Sequence, residues 1–275
     1  MPPSIGRLIS TWAPVHGLRL HALASAETLS PNTPTVVLVH GVAVSSRYLV
    51  PLAEELAPRA RVFVPDLPGY GRSARPAGRD LTVPELADAL LGWLDRVGLD
   101  RPHLLGNSFG CQVIAALAAR HPDRVGRLVL QGPTFDPDAR TAWRQALRWL
   151  AVVPFERSSE GLVLARDVWD LGPARAFDMI RKGLEDRIEL NLPRVTAPTL
   201  VVRGSRDAIV PQRWAEEATR LLPHGRLVVL VGAAHTINYS QPARLVAAIW
   251  PFLTEGTLAV TYQSSGRPGR RARQR

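Results

Sequence analysis

Apolar residues in this chain fall in short dense runs separated by Gly-, Pro- and polar-rich breaks. Thr35-Val36-Val37-Leu38-Val39 and Arg61-Val62-Phe63-Val64 are too short for helices and too continuous for half-exposed strands, which predicts strands buried on both faces. Arg101 to Leu105, Val125 to Leu130, Pro198 to Gly204 and Arg226 to Val231 predict further strands of this kind, and the alternation from Val15 to Leu23, around Gly17, predicts one or two edge strands. Between them, Ser46 to Leu56, Val83 to Val97, Cys111 to Arg120, Gln212 to Leu222 and Gln241 to Leu253 carry helical spacing. Strand and helix alternate, the mark of an α/β fold with a mainly parallel sheet covered by helices on both faces.

The alternation stops after Thr134 and resumes near Arg194. In between there is no clear strand, and Trp143, Leu147 and Leu150 trace one apolar stripe of a helix. A helical block inserted into a continuing sheet is expected to lie over the C-terminal edge of the strands, where open α/β sheets place their sites. The predicted organisation is a core of residues 1–133 and 194–254, a helical cap of residues 134–193, and a basic, disordered tail of residues 255–275.

Charge alters this picture little. The formal net charge is +10, but the last twenty residues hold Arg267, Arg270, Arg271, Arg273 and Arg275 without an acid, and without them the charge is +5. Half the excess therefore belongs to a segment with little to bury, so a solvated end is preferred to a nucleic-acid site. The single cysteine, Cys111, excludes an internal disulfide. No signal-peptide pattern and no run long enough to span a membrane is present, which predicts action in the cytoplasm on a small-molecule substrate. No cofactor and no metal is implied.

The chemistry centres on Gly106-Asn107-Ser108-Phe109-Gly110, which lies between a predicted strand and an Ala-rich helix. Strand, G-x-S-x-G, helix is the context that exposes a serine on a sharp turn at a helix N-terminus. A serine hydroxyl needs a base to take its proton and an acid to hold that base in one tautomer. Asp207 follows one later strand, in Gly204-Ser205-Arg206-Asp207, and His235 follows the next, in Gly232-Ala233-Ala234-His235. Asp136 or Asp138, just past an earlier strand, is a competing position for the acid. The other six histidines fit the base less well: His16 and His21 lie in the edge strands, His40 in an early loop, His103 opens the elbow strand, and His121 and His224 sit beside prolines.

With His40-Gly41 and the loop Asp66-Leu67-Pro68-Gly69-Tyr70-Gly71-Arg72-Ser73, these marks run in order from residue 35 to 253. In them the chain resembles the α/β-hydrolase superfamily, the serine hydrolases with a helical cap. The resemblance implies Ser108 as nucleophile, His235 as base and Asp207 as its orienting acid. It also implies an oxyanion hole made by the backbone N–H groups of Val42 and Phe109. A serine at the elbow argues against the aspartate-nucleophile epoxide hydrolases and haloalkane dehalogenases of similar fold. The elbow is also similar to that of C–C bond hydrolases acting on aromatic ring-fission products, but those have Trp after the catalytic His, where this chain has Thr236.

The expected activity is therefore hydrolysis of an ester-type bond (carboxylic ester, lactone or thioester) through an acyl-enzyme. C–C hydrolysis and acyl transfer are the alternatives, and a non-catalytic ligand receptor comes behind them. Trp143, Leu147, Trp149, Leu150, Phe155, Trp169 and Phe177 are available either to line the site, which would favour an apolar substrate, or to form the core of the cap.

Overall fold

The computed structural model describes residues 4–5, 7–26, 29 and 33–254. The basic tail of residues 255–275 lies outside the described residues. One sheet runs through the molecule, built from β1 (Ser4–Ile5), β2 (Leu8–Val15), β3 (Leu18–Ser25), β4 (Thr35–Val39), β5 (Arg61–Pro65), β6 (His103–Asn107), β7 (Leu128–Gln131), β8 (Thr199–Gly204) and β9 (Gly225–Leu230). Its order is β1-β2-β3-β5-β4-β6-β7-β8-β9. The pairings from β5 through β9 are parallel, and β1, β2 and β3 add an antiparallel edge. The sequence reading of an α/β fold is the observed one.

The helices are α1 (Val50–Leu56), α2 (Val83–Arg96), α3 (Phe109–Arg120), α4 (Ala142–Val152), α5 (Ser158–Leu171), α6 (Pro173–Glu185), α7 (Ile188–Asn191), α8 (Gln212–Leu221), α9 (Ile237–Ser240) and α10 (Pro242–Thr254). Side chains alternate across each strand, so the sheet presents two apolar faces. Val37, Val39 and Leu104 pack with α2, α3 and α8 on one face. Val36, Leu38 and Leu105 pack with α1, α9 and α10 on the other. These strand residues are fully buried, which explains why their runs are apolar without a break.

Helix α2 begins where its sequence provides a start. The Thr82 N–H and hydroxyl both donate to Glu85 (2.8 Å each), a reciprocal cap with Pro84 in the first turn. Helix α3 is apolar nearly all round and buried along almost its whole length, so it forms the centre of the molecule rather than a surface helix.

Between β7 and β8 the chain forms α4 to α7 with no strand. This helical block packs Val152, Leu171, Met179, Ile188 and Leu192 into the core beside α3, and polar contacts add to that attachment. Asp167 of α5 accepts from the Ser45 N–H (2.8 Å) and hydroxyl (2.9 Å). The Gln112 side chain of α3 donates to Gly183 O (2.8 Å) and Asp186 (3.1 Å), and Arg175 of α6 donates through Nε to Asp80 (3.1 Å).

Candidate active site

Strand β6 ends at Asn107 and α3 starts at Phe109, leaving Ser108 alone in the turn with φ 55° and ψ −119°. A non-glycine residue held at positive φ is uncommon and needs surrounding structure to enforce it. The Ser108 N–H donates to Gln131 O on the neighbouring strand (2.9 Å), and its carbonyl accepts from the Cys111 N–H (2.9 Å). The turn also requires glycine on both sides. A Cβ on Gly106 would lie 2.6 Å from Cys111 N, and one on Gly110 would collide with the carbonyl of Val39.

His235 comes from the loop after β9 and Asp207 from the loop after β8. His235 Nδ1 donates to Asp207 Oδ2 (2.8 Å) inside a buried environment. Asp207 is held in turn, since its Oδ1 accepts the Val210 N–H (2.9 Å) and its carbonyl accepts from Arg203 (2.9 Å). Burial disfavours the charged imidazole, but the charge and hydrogen bond of Asp207, with Glu156 and Glu160 behind them, outweigh it and hold His235 above its ordinary pKa.

The competing acids are engaged elsewhere. Asp136 is fully buried against Arg148 (2.7 Å) and Arg213 (2.5 Å), and Asp138 is exposed and pairs with Arg213 (2.7 Å).

Ser108, His235 and Val42 open onto one cavity of about 700 Å³. Gly41, Val42 and Ala43 form one wall, beside the elbow. The loop is fixed by His40, whose Nδ1–H donates to Gly41 O (2.8 Å) while Nε2 accepts the Leu67 N–H (3.1 Å). Burial lowers the His40 pKa, so this ring is a neutral structural link. Phe109 buries its side chain, and its N–H lies in the first turn of α3, where helix geometry leaves amides without an intrahelical acceptor. Cys111 is buried behind the elbow with its thiol 3.1 Å from Gly106 O, and burial pushes its pKa far up, so it is not poised as a nucleophile.

Of the aromatic and aliphatic residues singled out in the helical block, Trp143, Trp149 and Phe177 line the cavity. Leu147, Leu150, Phe155 and Trp169 do not, and neither do they form a core; they are exposed on the outside of the block. An apolar stripe reveals which side of a helix is apolar but not what that side meets.

Sequence reasoning missed three side chains that tie the site together. Gln131 at the end of β7 accepts from Asn107 (2.7 Å) and donates to His235 O (2.6 Å), linking the elbow to the histidine loop. Glu156 accepts the N–H groups of His235 (2.7 Å) and Thr236 (2.9 Å). Glu160 accepts from or donates to the Thr236 hydroxyl (2.7 Å) and lines the cavity. The only available signal, an acidic pair one helical turn apart at Glu156 and Glu160, is indistinguishable in sequence from a solvated helix face. Among the described residues, no group of three or more His, Cys, Asp and Glu could hold a metal ion, and no helix is long and apolar enough to cross a membrane.

Comparison with known proteins places the chain in a family. The alpha/beta hydrolase fold family matches residues 34–159, and the TAP-like protein family matches residues 178–264. The 2-hydroxymuconate semialdehyde hydrolase of Pseudomonas sp. (strain CF600) is 30% identical over 227 residues, which cover 74% of this chain and 80% of that one. The chain belongs to the α/β-hydrolase family. This α/β-hydrolase is also 27% identical to the pimeloyl-(acyl-carrier protein) methyl ester esterase of Aeromonas salmonicida (strain A449), over 80% of this chain and 95% of that one. The solved enol-lactonase from Burkholderia xenovorans LB400 matches with a TM-score of 0.73 and 27% identity, covering 89% of this chain and 100% of that one. All three relatives are hydrolases by name, and this α/β-hydrolase is an enzyme of that class.

Proposed function

We propose that this α/β-hydrolase is a serine hydrolase cleaving an ester-type bond (carboxylic ester, lactone or thioester) of a small, apolar, uncharged molecule. The observation that carries this reading is the cavity. Ser108 and His235 face it, Trp143, Trp149, Leu164 and Phe177 wall it, and neither lysine nor arginine contributes to its lining.

In this reading Ser108 Oγ attacks the carbonyl carbon while His235 Nε2 takes its proton. Asp207 keeps the proton on Nδ1 and stabilises the imidazolium. The oxyanion rests on the N–H groups of Val42 and Phe109, each such donor contributing roughly 3 kcal/mol to the transition state. His235 then protonates the leaving alkoxide or thiolate as its bond to the acyl carbon breaks. A water molecule, losing its proton to His235, attacks the acyl carbon; the acid departs and the proton returns to Ser108. Residues 134–193 act as a cap over the core of residues 1–133 and 194–254, and the single cysteine fits a cytoplasmic setting.

One observation favours a second reading, C–C hydrolysis of aromatic ring-fission products. The relative at 30% identity is named for 2-hydroxymuconate semialdehyde, a compound whose name carries a carboxylate. Against it, the cavity offers such an anion no cationic side chain, and Thr236 follows His235 where those hydrolases have Trp. A screen of esters, lactones, thioesters and a carboxylate-bearing vinylogous diketone, with Ser108→Ala as control, decides between them. The expected result is ester-type turnover and fluorophosphonate labelling of wild type, both lost in Ser108→Ala. Cleavage of the diketone alone, or ester turnover retained in Ser108→Ala, overturns the proposal.

A further inference from the structure

Two carboxyl groups of the helical block converge on one hydroxyl beside His235. Thr236 Oγ1 lies in hydrogen-bond contact with Glu156 Oε2 and with Glu160 Oε2, the latter at 2.7 Å. A hydroxyl has one hydrogen to donate, so both contacts are satisfied only if one carboxyl group carries a proton. Glu156 already accepts from the backbone N–H groups of His235 and Thr236, which makes it the acceptor end of the chain. Glu160 is then the acid, donating to Thr236, which donates to Glu156. Of the two, Glu160 alone lines the cavity, facing a wall otherwise rich in Trp, Phe and aliphatic side chains and free of lysine and arginine.

We propose, resting on the ester-hydrolase reading above, that Glu160 is the specificity-determining side chain of this cavity. As an acid it leaves the wall uncharged and admits neutral substrate groups. As a carboxylate it repels anionic groups and favours cationic ones.

The environment lets Glu160 switch near neutrality. Burial pushes its carboxyl group up to about 7; the Thr236 hydroxyl, free to turn its hydrogen to Glu160 once Glu160 is ionised, pulls it back, the charge of Glu156 pushes it further, and His235 opposes. The titratable groups acting on it are Glu156 from the turn before α5, His235 from the loop before α9, and Tyr48, whose own phenol is pushed up by burial and then by Glu160 and Glu156.

The test uses three esters of equal length that end in a methyl, a carboxylate or a trimethylammonium group, assayed from about pH 6 to about pH 9, where both charged ends keep their charge. Ratios of kcat/KM against the methyl ester cancel the titration of His235, which all three substrates share. In wild type the carboxylate ratio should fall by about tenfold and the trimethylammonium ratio rise by about tenfold as pH increases, with a midpoint at about 7. In Glu160→Gln both ratios should be flat. In Glu156→Gln, which removes the charge that pushes Glu160 up, both slopes should persist with the midpoint at lower pH.

Flat ratios in wild type, slopes of the same sign for both charged esters, or slopes that survive in Glu160→Gln overturn the assignment. If Glu160→Gln does not fold, the downward midpoint shift in Glu156→Gln carries the test, and an unmoved midpoint overturns it. Failure of folded wild type to cleave any of the three overturns the ester reading beneath it, a result distinct from flat ratios.

Discussion

The sheet and the helical block are both rich in large apolar side chains, yet the sheet buries most of its own and the block leaves many exposed. Leu38, Leu105 and Val129 on the strands have no solvent exposure, whereas Trp169 on α5 is 82% exposed and Trp143 on α4 is 61% exposed. The sheet is held by close packing of both its faces. The block buries Val152, Leu171, Met179, Ile188 and Leu192 in the core beside the sheet and adds polar ties through Asp167, Glu156, Asp186 and Arg175, while other large apolar residues wall a cavity or face outward. In the proposed reading the contrast separates stability from selectivity: strand ends carry the reacting groups, and the inserted helices shape what reaches them.

The largest effect should come from the strand end itself. Ser108→Ala is expected to lower kcat by about 10⁴-fold or more, with an unchanged melting temperature, read by ester turnover and thermal denaturation. An activity loss of under about tenfold would place the chemistry elsewhere.

The packing contrast predicts unequal costs for truncating similar apolar groups. Leu38→Ala should destabilise the fold by about 2–5 kcal/mol. Trp169→Ala should change stability by less than about 0.5 kcal/mol despite removing the larger side chain. Urea denaturation of both variants measures this directly, and comparable losses would mean that Trp169 is packed rather than exposed.

The polar attachment can be tested at Asp167. Asp167→Ala leaves the Ser45 N–H and hydroxyl without their partner, which should cost about 1–3 kcal/mol. Because Ser45 lies in the loop that carries Val42, kcat should fall while the reactive serine remains labelled by a fluorophosphonate.

The smallest expected effect is in the pH profile. In the proposed mechanism the base must be neutral to accept the Ser108 proton, so kcat/KM should rise with pH through the raised pKa of His235, above the ordinary histidine value of about 6.5. Glu156→Gln removes one of the charges that raise it, so this limb should move to lower pH by a fraction of a unit, with rates measured across buffers of constant ionic strength.

Much of the fold is legible because its signals are local. The runs Thr35 to Val39 and Arg61 to Val64 are apolar over a strand's length, and the elbow has a strand before it and a helix after it within twenty residues. Ser108, Asp207 and His235 stand out as candidates because each follows a strand in the order expected of the family, and the structure brings His235 against Asp207. The partners of the histidine loop were hidden for the opposite reason. Glu156 reaches His235 across 79 residues of sequence and Gln131 reaches it across 104, and no local pattern marks either.

By itself, then, the sequence determined the parallel sheet and the inserted helices and marked Ser108, Asp207 and His235 as candidates, because periodicity and turn chemistry act over a few residues. Only the tertiary structure decided which apolar residues of α4 and α6 wall the cavity, that Asp136 is occupied by Arg148 and Arg213, and that Glu156 and Glu160 meet at Thr236. Those outcomes depend on where the inserted helices dock on the sheet, and docking is set by contacts between residues that are neighbours only once the chain has folded.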